Sequence, residues 1–211
     1  MVDLTQKRAL YPRVSDIISK QNADAFRGIS LEVMANACER GTKIHSYCTA
    51  WARNLWIDEI EPEYQPYFDA FKDWAEENVE EVIHSSVRLY DDELKFTGEF
   101  DMIVKMKESK EMVLIDIKTS ASSSKAWPLQ LAAYGHLCNQ NDYHFDRIMN
   151  VHLKKTKAAE YEENEGEKVL ISPPQVKCCT KDHGDATPYW EIFASALKCY
   201  DYFDRKEVKN V

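Results

Sequence analysis

Apolar residues recur along this chain with two different periods, and the switch between them divides it into elements. From Val14 to Lys20 and from Leu31 to Trp56 they return every three or four positions, the spacing of one helix face. On the longer segment Cys38, Gly41, His45, Cys48 and Ala52 form a stripe of small residues carrying one imidazole, narrow enough to lie close to a sheet. A second amphipathic helix is predicted from Tyr64 to Ile83, with Tyr67, Phe68, Phe71, Trp74, Ala75 and Val79 inward. The period then falls to two, which predicts strands over Ser85 to Tyr90, Lys95 to Lys105 and Met112 to Lys118. Helical spacing returns at Trp127, where Pro128 suits a first turn. Arg147 to Leu153 reads as a further strand, with Lys168 to Ser172 as its hairpin partner across an acidic loop. Thr187 and Pro188 cap a last helix through about Arg205, with Trp190, Phe193, Leu197, Tyr200 and Phe203 inward. Helices flanking a central mixed sheet make the predicted fold α/β. One domain is expected, with a helical part over about 14–83, a sheet and helix over 84–153, and a hairpin and final helix over 154–206.

Chemistry concentrates on the predicted strands. Side chains two apart share a face of a strand, so Asp116 and Lys118 project together while Ile115 and Ile117 point to the opposite, apolar side. By the same rule Glu99 and Asp101 share a face, with Phe100 and Met102 on the other. The short charged loop from Lys105 to Glu111 joins the two strands as a hairpin, which brings Asp101 near Asp116. Two buried like charges need a cation or a lysine beside them. Mg²⁺ and Mn²⁺ accept carboxylate, carbonyl and water oxygens, and Mn²⁺ also accepts imidazole. One or two such ions, with Lys118 reaching the same point, would equip a metal-dependent phosphodiesterase. Gln130 and Tyr134 lie one helical turn apart and share a face. Taken singly, Asp-x-Lys at a strand end is usually a solvated edge, and a lone histidine such as His45 is more often a satisfied core residue.

The bulk numbers bound the function without choosing it. A net charge of −9 argues against a protein that coats duplex DNA without sequence preference, although local fields matter more than the sum. Basic candidates are Lys7, Arg8, Arg13, Lys154, Lys155 and Lys157; acid gathers at Asp58 to Glu63, Glu76 to Glu81 and Glu160 to Glu167, read as solvated faces and a loop. The polar start and the short aliphatic runs predict a cytoplasmic protein with no membrane partner. The six cysteines, Cys38, Cys48, Cys138, Cys178, Cys179 and Cys199, contain no C-x-x-C pair. Cys178 and Cys179 with His183 are a candidate metal group, and no iron–sulfur cluster is expected.

Five segments in one order resemble the PD-(D/E)xK nuclease superfamily, and within it the RecB-like exonuclease group. They are Tyr11-Pro-Arg-Val-Ser-Asp-Ile-Ile18, Gly41-Thr-Lys-Ile-His45, Gly98-Glu-Phe-Asp101, Asp116-Ile-Lys118, and Gln130 with Tyr134. The resemblance covers roughly residues 11–153. It implies that His45, Asp101 and Asp116 ligate the metal together with the Ile117 carbonyl, and that Lys118 orients water and stabilises the phosphorane. Gln130 and Tyr134 would buttress the site or contact the DNA backbone. The chain departs from the family in offering Ser85 and Ser86 where many relatives place an acid on the preceding strand; Glu99 is the candidate substitute as a second-metal ligand. The resemblance implies a single-strand DNA exonuclease of repair, recombination or phage genome processing, acting on single strands or ends, in the host cytoplasm if phage-encoded. A recombination or single-strand-binding protein would be a partner. A structure- or sequence-specific endonuclease and a non-catalytic binding module are the alternatives.

Overall fold

The computed structural model describes residues 10–22, 27–164 and 167–205; Lys7 and Arg8, named above, and residues 206–211 lie outside that set. The helices are α1 (Val14–Gln21), α2 (Leu31–Ala52), α3 (Gln65–Asn78), α4 (Trp127–Gln140) and α5 (Thr187–Phe203). The strands are β1 (Val79–Asp91), β2 (Phe96–Met106), β3 (Met112–Lys118), β4 (Arg147–Lys157), β5 (Glu160–Asn164), β6 (Glu167–Ser172) and β7 (Gln175–Gly184).

Five strands form one mixed sheet in the order β1-β2-β3-β4-β7. All neighbours are antiparallel except β3 and β4, which run parallel and are joined through α4, because parallel neighbours need a crossover. One face buries Ile44 and Cys48 of α2 and Tyr67, Phe68, Phe71 and Ala75 of α3 against Val113, Ile115, Ile117, Val151 and Leu153. The other buries Val14 and Ile17 of α1, Leu131, Ala133 and Leu137 of α4 and Phe193 and Leu197 of α5 against Phe96, Phe100, Ile103 and Leu114. This is the α/β architecture the spacing predicts. Among the described residues no helix is long and apolar enough to cross a membrane.

Four boundaries differ from expectation. The segment from Tyr64 to Ile83 is not one helix: α3 stops at Asn78 and β1 begins at Val79, which is already extended at ψ 124°. Val79 continues the helical period, but Val82 is β-branched and pairs with Val104 on β2, and the β-branched Ile83 follows in the bulge before the His84↔Ile103 rung. The long helix ends at Ala52 rather than Trp56. Asn54, at φ 53°, turns the chain, and the Asn54 and Leu55 N–H groups close back on Trp51 O and Ala50 O, a Schellman closure that Asn tolerates. Lys168 to Ser172 does not pair with β4; it pairs with β5 in a separate ribbon, and β7 takes the place beside β4. The last helix keeps Phe193 and Leu197 inward, but Phe203 is 77 % exposed.

Candidate active site

A cleft of about 610 Å³ opens between α2 and α4 over the middle of β2 and the end of β3. His45, Glu99, Asp101, Asp116, Lys118, Gln130 and Tyr134 all line it, together with Gly41, Ser86 and Leu55.

Asp101 occupies a break in the sheet. The β2–β3 ladder runs from Lys105↔Met112 to Met102↔Ile115 and stops one rung before Asp101 and Asp116. There the side chain replaces the backbone: Asp101 Oδ2 accepts the Ile117 N–H at 2.7 Å, and Oδ1 meets His45 Nδ1 at 3.0 Å. On the opposite side Ser86, between the Ser85↔Met102 and Val87↔Phe100 rungs, is left-handed at φ 51°. The alternation of β2 breaks at this point. Phe100 packs in the core beneath α4, whereas Met102 packs beneath α2 and α3, so the expected common face for Phe100 and Met102 is wrong.

Asp116 is among the most buried acids of the chain, at 2 % exposure. Its Oδ2 receives Lys118 Nζ at 2.7 Å and Asn150 Nδ2 at 2.8 Å. Lys118 Nζ also donates to Gln130 Oε1 at 2.7 Å, and Gln130 Nε2 donates to Tyr134 OH at 2.7 Å. The i, i+4 spacing on α4 therefore builds a hydrogen-bonded brace for the lysine. Gly98 on β2 makes room for it, because a Cβ there would lie 2.8 Å from two Tyr134 ring carbons. Gly41 has no such duty: a Cβ would meet Thr119 Oγ1 at an ordinary 3.8 Å.

Electrostatics separate the two carboxylates. Burial raises the pKa of Asp116, and the neighbouring Asp101 charge adds to that, so the attraction of Lys118 is outweighed. Burial also acts on Asp101, but the charge and hydrogen bond of His45, with the Ile117 N–H and Lys118, hold it below the ordinary value. Desolvation disfavours the His45 imidazolium, yet Asp101 overrides it and its pKa is raised. Burial raises the Tyr134 phenol far out of the working range, leaving it a neutral donor and acceptor.

A pH dependence follows. Asp101, with its folded pKa below 3.8, contributes stability that is present above that value and lost as pH falls through the folded pKa. His45, with its folded pKa above 6.5, contributes stability that is full below 6.5 and lost as pH rises through the folded pKa. The pair therefore stabilises the EDTA-treated protein most between these values. Asp116 has the opposite sign, and burial, the largest cause of its shift, does not depend on the His45 charge. Thermal unfolding in EDTA should show wild type losing more stability than His45→Ala as pH rises from below 6.5 through the raised His45 pKa; parallel curves would contradict the ion pair.

Glu99 lies where expected but is engaged, accepting from Ser86 Oγ at 2.7 Å and Arg88 Nη2 at 2.6 Å. Ile117 has its side chain in the core and its N–H on Asp101. The sequence assigns no role to Asn150, and it places His183 with Cys178 and Cys179 rather than here. Asn150, fully buried on β4, donates to Asp116 and accepts from His183 Nε2 of β7 at 2.9 Å. The signal was available as a lone amide in the apolar run Ile148-Met-Asn-Val151, since a buried amide demands partners. Cys178 and Cys179 are consecutive on β7, so their thiols leave opposite faces, and Cys178 packs against the core.

Among the described residues no three His, Cys, Asp or Glu side chains stand close enough together to ligate a metal as placed; Asp116 is turned onto Lys118 and Asn150. The donor types nevertheless fit a hard divalent cation, with two carboxylates and an imidazole lining one cleft and a pKa elevation that an added positive charge would relieve. The group Cys178, Cys179 and His183 forms no such cluster.

The sequence matches the PD-(D/E)XK nuclease superfamily over residues 15–184. No curated protein sequence matches it. Among solved structures it is similar to a candidate exonuclease of Eubacterium rectale at 10 % identity and TM-score 0.42, covering 94 % of this chain and 83 % of that one. A phage-related exonuclease of Haemophilus somnus 129PT is similar at 16 % identity and TM-score 0.39, covering 90 % and 93 %. The protein SSO0001 is similar at 12 % identity and TM-score 0.26 over 55 % of this chain, which spans half the length of SSO0001.

Proposed function

The chain belongs to the PD-(D/E)xK nuclease superfamily, and from that premise we propose that it is a divalent-metal-dependent DNA nuclease acting on single strands or ends, as an exonuclease of the RecB-like kind. The observation that carries the proposal is the convergence of Asp101, Asp116, Lys118 and His45 in one cleft, built from two strands and a helix.

Asp101, Asp116 and His45 are the residues that would hold the cation, with the Ile117 carbonyl and Glu99 as further candidates from the resemblance. Bound there, Mg²⁺ or Mn²⁺ supplies Lewis acidity and a lowered water pKa. The chain's own residues do the rest. Lys118, fixed between Asp116 and Gln130, orients the attacking water and places positive charge where it develops on the phosphorane. Gln130 and Tyr134 keep that ammonium in position. Asn150 fixes the Asp116 carboxylate from behind, and His183 fixes which end of the Asn150 amide faces it. Arg88 and Ser86 neutralise and orient Glu99 on the cleft wall, which favours a site centred on Asp101 and Asp116.

A time course on a linear strand labelled at each end, beside a closed single-stranded circle, tests the preference for ends. Shortening of the linear strand with an intact circle is expected in Mg²⁺ or Mn²⁺. Cutting of the circle would make the protein an endonuclease of the same superfamily. A cytoplasmic setting in repair, recombination or phage genome processing, with a recombination or single-strand-binding protein as partner, belongs to the same proposal.

A further inference from the structure

Trp56 directly follows Leu55, a residue of the cleft lining, and has 88 % of its surface exposed, although the chain on both sides of it is anchored. Leu55 precedes it, lines the cleft with Ser86, Glu99 and Asp101, and donates its N–H to Ala50 O at 2.9 Å. Ile57 follows it and packs on the core beneath α2 and α3. Arg53 ties the same turn to the cleft wall, donating to Ser85 O at 2.6 Å and Ser86 O at 3.1 Å. The ring is thus presented from a fixed turn.

The indole has no unmet polar need. Its Nε1 donates to Asp58 Oδ1 at 3.2 Å within its own loop, which orients the ring and leaves its faces bare. Large exposed aromatics are uncommon, because burying the ring is favourable by the area it removes from water. The other tryptophans of the chain, Trp51, Trp74, Trp127 and Trp190, all pack against the cores or against other rings. Of the five tryptophans, Trp56 alone packs on neither core and on no other ring among the described residues.

We propose that Trp56 is a base-stacking platform at the mouth of the cleft, receiving an unpaired nucleobase of a single-stranded substrate whose backbone enters the site. The inference rests on the nuclease reading and deepens it, because it assigns the preference for single strands to a residue. The chemistry selects the occupant. Asp58, which accepts the indole N–H, disfavours an acidic group on the ring itself, whereas a nucleobase is neutral and planar. Bases in a duplex are already stacked on each other and cannot turn onto the indole, while those of a single strand can. Arg53, exposed on the same turn, supplies positive charge for the adjoining phosphate.

The test is equilibrium binding in EDTA, so that no cleavage intervenes, with fluorescence anisotropy of labelled oligo(dT), an abasic strand of equal length and a blunt duplex. Trp56→Ala should weaken oligo(dT) binding about tenfold, within the range supplied by one base–aromatic stack. Trp56→Phe should recover most of the loss. Wild type should prefer oligo(dT) to the abasic strand, and that preference should shrink in Trp56→Ala, an outcome that general damage to the fold would not give. Equal oligo(dT) affinity in wild type and Trp56→Ala, or an undiminished preference over the abasic strand, overturns the inference. Cleavage of the same oligo(dT) by wild type in Mn²⁺ is scored in parallel. Cleavage with no effect of Trp56→Ala sinks the platform alone, and no binding and no cleavage by wild type sinks the nuclease reading with it.

Discussion

Replacing Lys118 by alanine should remove the proposed phosphodiester hydrolysis, with an expected fall in the single-turnover rate of about 10²–10³-fold or more, while the chain stays folded. Lys118 is the sole lysine or arginine among the residues lining the cleft. Its side chain is only 17 % exposed, and its ammonium is fixed by two contacts of 2.7 Å, to Asp116 Oδ2 and Gln130 Oε1. In the proposed role, loss of that charge would remove transition-state stabilisation that no other residue lining the cleft carries the positive charge to replace. Stability should fall by up to about 3 kcal/mol, the lower end of what unpairing a buried charge costs. The cost is limited because Asp116, whose pKa is already raised by burial, can take up a proton. Lys118→Gln, which restores length and hydrogen bonding without charge, should fold better and remain inactive. Circular dichroism with single-turnover kinetics checks both variants, and substantial hydrolysis by either would show that the lysine is not the reacting group's partner.

Gly98→Val should lower stability and activity together. A Cβ at Gly98 meets Tyr134 Cδ1 and Cε1 at 2.8 Å and Leu137 Cδ1 at 3.0 Å, closer than side chains tolerate. Tyr134 cannot retreat, being buried in the core of α4 and hydrogen-bonded to Gln130. Overpacking of this kind costs about 1–3 kcal/mol or more. Either β2 or α4 must move, and the first carries Asp101 while the second braces Lys118. A displacement near 1 Å can cost about 10² in rate. Gly41→Ala is the contrast, since its Cβ would find ordinary space and alanine favours a helix. Chemical denaturation separates them: a lowered midpoint is expected for Gly98→Val alone, and equal midpoints would contradict the packing argument.

The residues with chemistry were legible because their signals were local. Asp116 and Lys118 follow from strand alternation, and the short loop to Met112 places that strand beside β2. His45 was legible as the one imidazole on a small-residue helix face. What escaped depends on pairings between distant segments. Glu99 reads as a free carboxylate until the Arg88↔Glu99 rung supplies its partner. The break of alternation at Asp101 depends on the left-handed turn of Ser86 on the adjoining strand, which no period in β2 reveals. Asn150 and His183 meet only once β7 is known to lie beside β4. That strand was hidden because it alternates half-buried residues with exposed lysines and threonine, so its apolar period is faint. The α3–β1 boundary was obscured for the opposite reason, since Val79 satisfies both periods.

Asp101 and Asp116 are proposed to form a cation-dependent hydrolytic site, and release of nucleotide from a labelled single strand tests this most directly. Wild type should degrade the strand in Mg²⁺ or Mn²⁺ and not in EDTA, and Asp101→Asn or Asp116→Asn should reduce that activity to background. No degradation by wild type in either metal, or degradation that persists in both asparagine variants, would contradict the account.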